Sequence, residues 1–548
     1  MFQVLIPKFA PKILFIFFFI SITLAIHAQP VKMKITGHYL NIPVGKEARM
    51  KPVKINVNGQ TKMEFPVKLV EDTVDYWVYA DVSEFIGKKI ELVCPASPVS
   101  LKRIYQADKI AGSDSLYKEV NRPRFHFTVK RGWSNDINGP VFYDGQYHLF
   151  WQTFMYDLNI DVDYMYWGHA VSKDLLHWTE LPPALTMDSL GSPWSGTAVV
   201  DSNNASGFGK NALVLYYTAF DKWLGKQVQC IAYSTDAGKT FQRYTGNPII
   251  DSNREWDTNS TRDPKVFWYE PAKTWVMVLF EKDGMSFFNS ADMKTWKRQS
   301  HFKGLYECPD MFPLAVDGNP ANIKWVLHGG SSAYFIGSFD GKVFTPETEM
   351  LEYAEGKNTD NNDLLYAAQT FANMPDGRMV QMAWGRVQHY GMPFTQMMLF
   401  PTTFSIITTE KGLRMVANPI AEIDQLHAAS HIWGNLTITQ ANDKLKAIAP
   451  GSLHIKMNIA MQPGSDLRLR YQGNEILHIP ADELPDPENK IEILIDKTVA
   501  EIFVNNGRRY IIKQLMPPVR PGDGIVFESY QYGPKINSLE VYEMKSIW

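Results

Sequence analysis

The sequence predicts an all-β protein in which a β-propeller lies between two smaller β-sandwich-like units. Three observations carry this prediction. Strand-like runs recur along the chain, and no long amphipathic helical pattern interrupts them. A Ser-x-Asp turn followed by an aromatic residue occurs four times, at Ser172-Lys-Asp-Leu-Leu-His-Trp178, Ser234-Thr-Asp-Ala-Gly-Lys-Thr-Phe241, Ser290-Ala-Asp-Met-Lys-Thr-Trp296 and Ser338-Phe-Asp-Gly-Lys-Val-Phe344. These copies stand roughly 50–60 residues apart, close to the spacing of propeller blades. Aromatic residues make up 13% of the chain, which suits β cores and the flat ring surfaces on which sugars stack.

A length of 548 residues exceeds one ordinary core and implies two or three domains. The net charge of -3 gives no footprint for nucleic acid or an anionic membrane surface. Cys94, Cys230 and Cys308 form neither a disulfide framework nor a zinc spacing.

In chain order, residues 1–28 read as a signal peptide. Lys8 and Lys12 precede an apolar run from Ile13 to Ile26, and Ala28 offers a cleavage site. The run is short for a bilayer span, so the mature protein is expected to be exported, periplasmic or secreted, without stable membrane insertion. Residues 29–110 alternate apolar and polar positions, as in Lys54-Ile-Asn-Val-Asn, and predict a small N-terminal β-sandwich-like domain. A polar linker at residues 111–115 follows. Residues 121–424 carry the four repeats and form the expected propeller. Residues 428–548 resume strands, with Lys490-Ile-Glu-Ile-Leu-Ile-Asp496 and Glu501-Ile-Phe-Val504 before an Asn505-Asn506-Gly507 turn, and predict a C-terminal β-sandwich.

Three carboxylates stand out. Asp136 lies among turn formers in Arg131-Gly-Trp-Ser-Asn-Asp-Ile-Asn-Gly-Pro140, which reads as a tight turn ahead of a strand from Val141 to Gln152. Asp263 lies between Arg262 and Pro264, so a guanidinium is expected to keep it ionised. Glu307 has apolar and aromatic neighbours, Leu305, Tyr306, Cys308 and Pro309, which would desolvate it and raise its pKa as a proton donor requires. Asp136, beside the Asn135 amide, would remain charged as a nucleophile requires. The repeat spacing puts the three on different blades, whose strand ends converge on one central cavity. Two carboxyls driven apart in pKa are what cleavage of a glycosidic bond with retention needs.

These residues also carry a resemblance. Trp133-x-Asn135-Asp136-x-Asn138-Gly139, Trp194-Ser-Gly-Thr-Ala198, Arg262-Asp263-Pro264 and Glu307-Cys308-Pro309-Asp310 resemble, in order, the hallmark motifs of glycoside hydrolase family 32. That family holds invertases, inulinases, levanases and other fructan hydrolases. Trp167-Gly-His-Ala170, Tyr366-Ala-Ala-Gln-Thr-Phe371 and the ending Ser546-Ile-Trp548 are similar too. The resemblance implies a five-bladed β-propeller followed by a β-sandwich, and hydrolysis of β-D-fructofuranosyl linkages in a fructan such as levan or inulin, or in sucrose, with exo action. It implies Asp136 as nucleophile, Glu307 as general acid/base and Asp263 as holder of the fructosyl 3- and 4-hydroxyls. It also implies that Asn135, Gln152, Trp194, Ser195 and Arg262 line the subsite for the terminal fructose. Cys308 is expected to tune Glu307 or simply to pack.

Departures from the family pattern set further expectations. Ile137 and Ser134 replace its usual Pro and Met and should change packing behind the Asp136 segment. The acidic stretch at residues 157–163 lacks the family's usual Trp. Val162 and Gly168 stand where a calcium loop needs Gly and Glu, so metal binding there is not expected. Asp161 and Asp163 are instead expected to form a rim for leaving-group hydroxyls. No metal, cofactor or nucleic acid is expected. Fructosyl transfer, endo cleavage and fructan binding without catalysis remain alternatives; an inverting arabinanase-like reading fits the Glu-Cys-Pro motif poorly.

Overall fold

The computed structural model describes residues 30–70, 72–95, 98–252, 254, 258–484, 486–516, 524–530 and 533–548. The expected signal peptide at residues 1–28 lies outside the described residues. No helix among the described residues is long and apolar enough to cross a membrane.

Strands dominate, and five four-stranded antiparallel units surround a common centre. The first blade runs outward from Gly132–Ile137 through Gln146–Phe154 and Tyr166–Ser172 to Trp178–Leu185. The second comprises Ser192–Asp201, Ala212–Asp221, Lys226–Ser234 and Gln242–Arg243. The third comprises Thr261–Tyr269, Thr274–Glu281, Gly284–Ser290 and Lys297–Lys303. The fourth comprises Asp310–Val316, Asn319–His328, Ala333–Phe339 and Phe344–Pro346, and the fifth Leu365–Thr370, Val380–Gly385, Thr402–Thr409 and Gly412–Pro419.

The Ser-x-Asp repeats turn the third strand of a blade into its fourth. Each Asp folds back onto backbone amides two to four residues ahead, as an Asx turn does. Asp174 accepts from Leu176 and His177, Asp236 from Thr240, Asp292 from Lys294 and Thr295, and Asp340 from Lys342 and Val343. The fifth blade turns instead through Glu410-Lys411, which is why its repeat is silent in the sequence.

Blade five closes the ring onto blade one. Phe394–Thr395 pairs in parallel with Gly132 and Trp133, and across the same seam the Phe142 amide donates to the Ala372 carbonyl while the Ala372 amide donates to the Pro140 carbonyl. The innermost strands approach so closely that Gly139, at φ +58°, has no room for a side chain: a Cβ there would lie 1.9 Å from the Ala198 nitrogen. Gln369 ties three blades at this point, accepting from the Gly139 amide at 2.9 Å and donating to the Gly196 carbonyl at 3.1 Å. Beside it the buried Asp310 pairs with Lys265 at 2.8 Å and accepts from the Thr370 amide at 2.6 Å. Burial opposes ionisation of Asp310, but Lys265 and these donors hold its carboxyl below the ordinary range.

The N-terminal strands form two sheets. One orders Val31–Lys34, Lys89–Val93, Lys51–Val57 and Gln60–Val67; the other orders Tyr76–Asp81, Tyr39–Val44 and Tyr105–Ala107. Their core continues into the first blade through Phe154, Tyr156, Met165 and Tyr166. Phe65 stacks on Tyr156 with centroids 4.0 Å apart, and Lys68 pairs with the buried Asp157 at 2.9 Å. The N-terminal sandwich therefore buttresses the segment after Phe154.

The C-terminal sandwich packs a seven-stranded sheet on a three-stranded one over an aliphatic core. The edge of the larger sheet is Ala354–Glu355, which lies between blades four and five in sequence and pairs in parallel with Arg509–Gln514. A buried charge cluster joins sandwich to propeller. His126 Nδ1 bonds Asp496 at 2.9 Å and its Nε2 bonds Glu501 at 2.7 Å, while the Arg124 and Phe125 amides also donate to Asp496. Trp548 adds a second tie, donating to the Pro123 carbonyl at 2.8 Å and stacking on Tyr117.

Candidate active site

At the mouth of the propeller, residues from several blades and connecting segments line one cleft of ≈ 290 Å³. Asp136, Asp263 and Glu307 all reach it, together with Asn135, Gln152, Trp194, Ser195 and Arg262. All eight residues assigned from the sequence to catalysis or to the terminal-fructose subsite are thus brought together.

Irregularities in the inner strands aim these side chains. Pairing of Gly132–Ile137 with Gln146–Phe154 shifts register between Trp151 and Thr153, that of Ser192–Asp201 shifts between Trp194 and Gly196, and that of Thr261–Tyr269 shifts between Arg262 and Lys265. Such bulges bend a strand and redirect side chains, and they concentrate at functional rims. Asp263, Glu307 and Cys308 also adopt left-handed backbone, with φ of 63°, 50° and 40°. Non-glycine residues hold that conformation only where surrounding contacts enforce it.

The Asp136 carboxylate accepts from Ser195 Oγ at 2.7 Å through Oδ2 and from Asn135 Nδ2 at 3.2 Å through Oδ1. Asn135 is itself fixed by Trp133 Nε1 at 3.1 Å. The Cys308 thiol lies 3.5 Å from Asp136 Oδ2 and 3.6 Å from Asp263 Oδ2, and the Cys308 amide donates to that Asp263 oxygen at 3.1 Å. Arg262 donates to Glu307 Oε1 at 2.6 Å, and Tyr366 Oη donates to Oε2 at 2.8 Å. Trp194 forms a wall: its indole donates to the Val162 carbonyl at 2.8 Å and stacks on Phe220 with centroids 4.1 Å apart.

Residues 126–419 match the family model described as "Glycosyl hydrolases family 32 N-terminal domain", which is more than half of the chain. The chain belongs to glycosyl hydrolase family 32. It is a glycoside hydrolase of the β-fructofuranosidase type. It is 34% identical over 514 residues to a levanase of Bacillus subtilis (strain 168), covering 82% of this chain and 74% of that protein. A levanase of Bacillus sp. (strain L7) is 32% identical over 79% of this chain, which spans about half (53%) of that longer relative. The crystal structure of an exo-inulinase from Aspergillus awamori superposes with a TM-score of 0.66 at 24% identity, over 79% of this chain and 100% of that one, and so shares the fold.

Within this family 32 site, several sequence expectations need correction. Asp136 lies on the strand Gly132–Ile137, not in a tight turn, and the bulge opposite it supplies the projection that a turn was expected to give. The run after it is not one strand: Val141–Tyr143 and Gln146–Phe154 are separated by an Asp144-Gly145 turn. Glu307 is not walled off by its neighbours. Its side chain is 25% exposed and Tyr306 is 58% exposed, because the left-handed backbone at residues 307 and 308 turns the chain there. Desolvation acts on the two aspartates instead. Burial pushes the Asp263 carboxyl up to about 7; Arg262 opposes this, and the charges of Glu307 and Asp136 add to it. Burial also raises Asp136, with Ser195, Cys308 and Asn135 counteracting and Glu307 reinforcing. The Cys308 thiol, expected to serve Glu307 or simply to pack, has its hydrogen-bond contacts with Asp136 and Asp263. In the acidic stretch, Asp157 is buried against Lys68 and Tyr76, Asp161 caps its own turn through the Asp163 amide, and the residues that line the cleft are Ile160 and Val162, with Asp161 and Asp163 beside them.

Sequence reasoning missed Met165, Tyr366, Trp384 and Arg386, which also line the cleft. Tyr366 opens a motif already noted and could have been found there. The Arg386 guanidinium lies 3.7 Å from the Tyr366 ring centroid, and its buried Nε has no hydrogen-bond partner. Away from the cleft, Asp424, His427 and His454 form a cluster of metal-ligand types. Lys456 already binds Asp424 at 3.0 Å and the two histidines bond each other at 3.0 Å, so the cluster is internally satisfied.

The thiol contact gives a testable expectation. Cys308→Ala removes a weak donor from Asp136, so the Asp136 carboxyl rises further. The acidic limb of kcat/KM then moves to higher pH, with a loss of roughly 3–10-fold at its plateau. Cys308→Ser retains a donor and should preserve both features; pH–rate profiles of the two variants provide the check.

Proposed function

We propose that this β-fructofuranosidase hydrolyses terminal β-D-fructofuranosyl units of fructans with retention of configuration. The observation that carries this reading is the convergence of Asp136, Asp263 and Glu307, each in a differently ordered environment, on one cleft. Asp136 attacks the anomeric carbon while Glu307 gives its proton to the departing oxygen. A covalent fructosyl-enzyme results, and Glu307 then deprotonates the water that hydrolyses it. Ser195 and Asn135 aim the nucleophile. Arg262 and Tyr366 fix the direction of the Glu307 carboxyl. Asp263 accepts from the fructosyl 3- and 4-hydroxyls and stabilises positive charge developing on the ring.

The levanase relatives and the small cleft favour exo action on a fructan, levan foremost. The charged start and apolar run of residues 1–28 favour export to reach such a polymer. Incubation with sucrose, inulin and levan, followed by anion-exchange chromatography of the products, tests the reading. Free fructose as the sole product from a fructan is expected. A ladder of oligomers would mean endo cleavage, longer chains would mean transfer, and no product from any of the three would refute it.

A further inference from the structure

We propose that the hairpin tip at residues 222–225 is a second binding site for the fructan chain, with the Trp223 indole as a stacking platform outside the cleft. The proposal rests on the fructan reading above and extends it to sugar units beyond the one being cleaved.

Trp223 is 86% exposed and Leu224 is 70% exposed, on the loop between Ala212–Asp221 and Lys226–Ser234. The two side chains together expose adjoining apolar surface beside a functional cleft, the kind of patch that marks a binding site. The loop is ordered: Asp221 Oδ1 accepts from the Trp223 amide at 2.8 Å and from the Leu224 amide at 3.2 Å. It is also tied to the cleft rim. Lys222 Nζ bonds Tyr164 Oη at 2.8 Å, and its ammonium lies 4.1 Å from the Tyr164 ring centroid and 5.2 Å from that of Trp223. Tyr164 closes the short 3-10 turn Val162–Tyr164, whose Val162 lines the cleft and binds the Trp194 indole. The same strand that leads to the tip carries Phe220, stacked on Trp194.

A continuous path thus runs from the cleft wall to the exposed indole. Its chemistry matches a sugar polymer: a flat ring for the C–H face of a furanose, next to an ammonium that can donate to hydroxyls. A fructan held by its end in the cleft has further units to place, and this path is continuous with the cleft. A second copy of the chain is the competing occupant.

Trp223→Ala and Trp223→Phe test the proposal, since an exposed tip residue leaves the fold intact. The alanine variant should raise KM for levan or inulin by about 3–10-fold, with phenylalanine in between, while kcat/KM for sucrose stays within about twofold of wild type. Native gels containing levan or inulin read binding without turnover: retardation of the wild type should be lost in Trp223→Ala. Equal effects on polymer and sucrose, unchanged polymer KM and retardation, or a change of oligomeric state in the alanine variant would each overturn it. Failure of the wild type to hydrolyse any fructan would refute the parent reading, and the gels would still report on the platform.

Discussion

Asp136→Asn abolishes turnover, with an expected loss of at least ~10⁴-fold in kcat on any fructosyl substrate. The amide keeps the shape that Ser195 and Asn135 hold but removes the charge to which the proposed mechanism gives the attack on carbon. Thermal unfolding should therefore be little changed, which separates a chemical loss from a folding loss. Glu307→Gln should lose roughly 10²–10⁴-fold, the usual contribution of a general acid/base. Its deficit has a signature of its own. With a fructoside whose leaving group departs without protonation, azide, which needs no deprotonation, should restore turnover of the fructosyl-enzyme and yield a fructosyl azide. Either variant retaining a tenth of wild-type activity would remove the assigned roles.

The second large effect concerns stability. His126 is fully buried between Asp496 and Glu501. Burial alone would lower its pKa, but hydrogen bonds to Asp496 and Glu501 and their charges raise it to about 9 from 6.5. A group raised on folding stabilises the native state fully below its unfolded pKa and loses that contribution as pH climbs through the folded value. Asp496 is shifted the other way. Burial opposes its ionisation, but His126 and the Arg124 and Phe125 amides hold it below 3.8, so its contribution is present above that value and fades in acid. Both are complete only between about pH 4 and 6.5. The unfolding midpoint should fall from pH 6.5 to 9.5 by an amount corresponding to on the order of 3 kcal/mol. His126→Gln should be less stable at pH 6 and lack this alkaline decline. A wild-type midpoint independent of pH over that range would contradict the account.

Much of this architecture could be read from the chain because its blades repeat a turn chemistry. Asp174, Asp236, Asp292 and Asp340 each announce the end of a third strand, so the spacing revealed the ring before any fold was known. The fifth blade has no such turn and became visible only through family likeness and the structure. At the site, residue identities were legible and environments were not. Burial depends on what distant strands place overhead: Asp263 and Asp136 are covered by neighbouring blades, while Glu307 is turned toward solvent by its own backbone. Local neighbours in sequence therefore assigned the desolvation to the wrong carboxyl. The burial of Asp157 was hidden for a related reason, since its cation, Lys68, stands 89 positions earlier in the N-terminal sandwich.

The short strand Ala354–Glu355 has a consequence for how this protein can be inherited. A segment lying between two blades in the gene completes the border of a sheet built almost wholly from the last part of the chain. A sandwich exchanged at the junction near residue 425 would have to offer this segment the same free backbone edge. Ring and trailing sandwich are therefore expected to pass on as one unit, tied by the Ala354–Tyr510 and Glu355–Ile511 backbone pairs and by the Glu355–Arg509 ion pair.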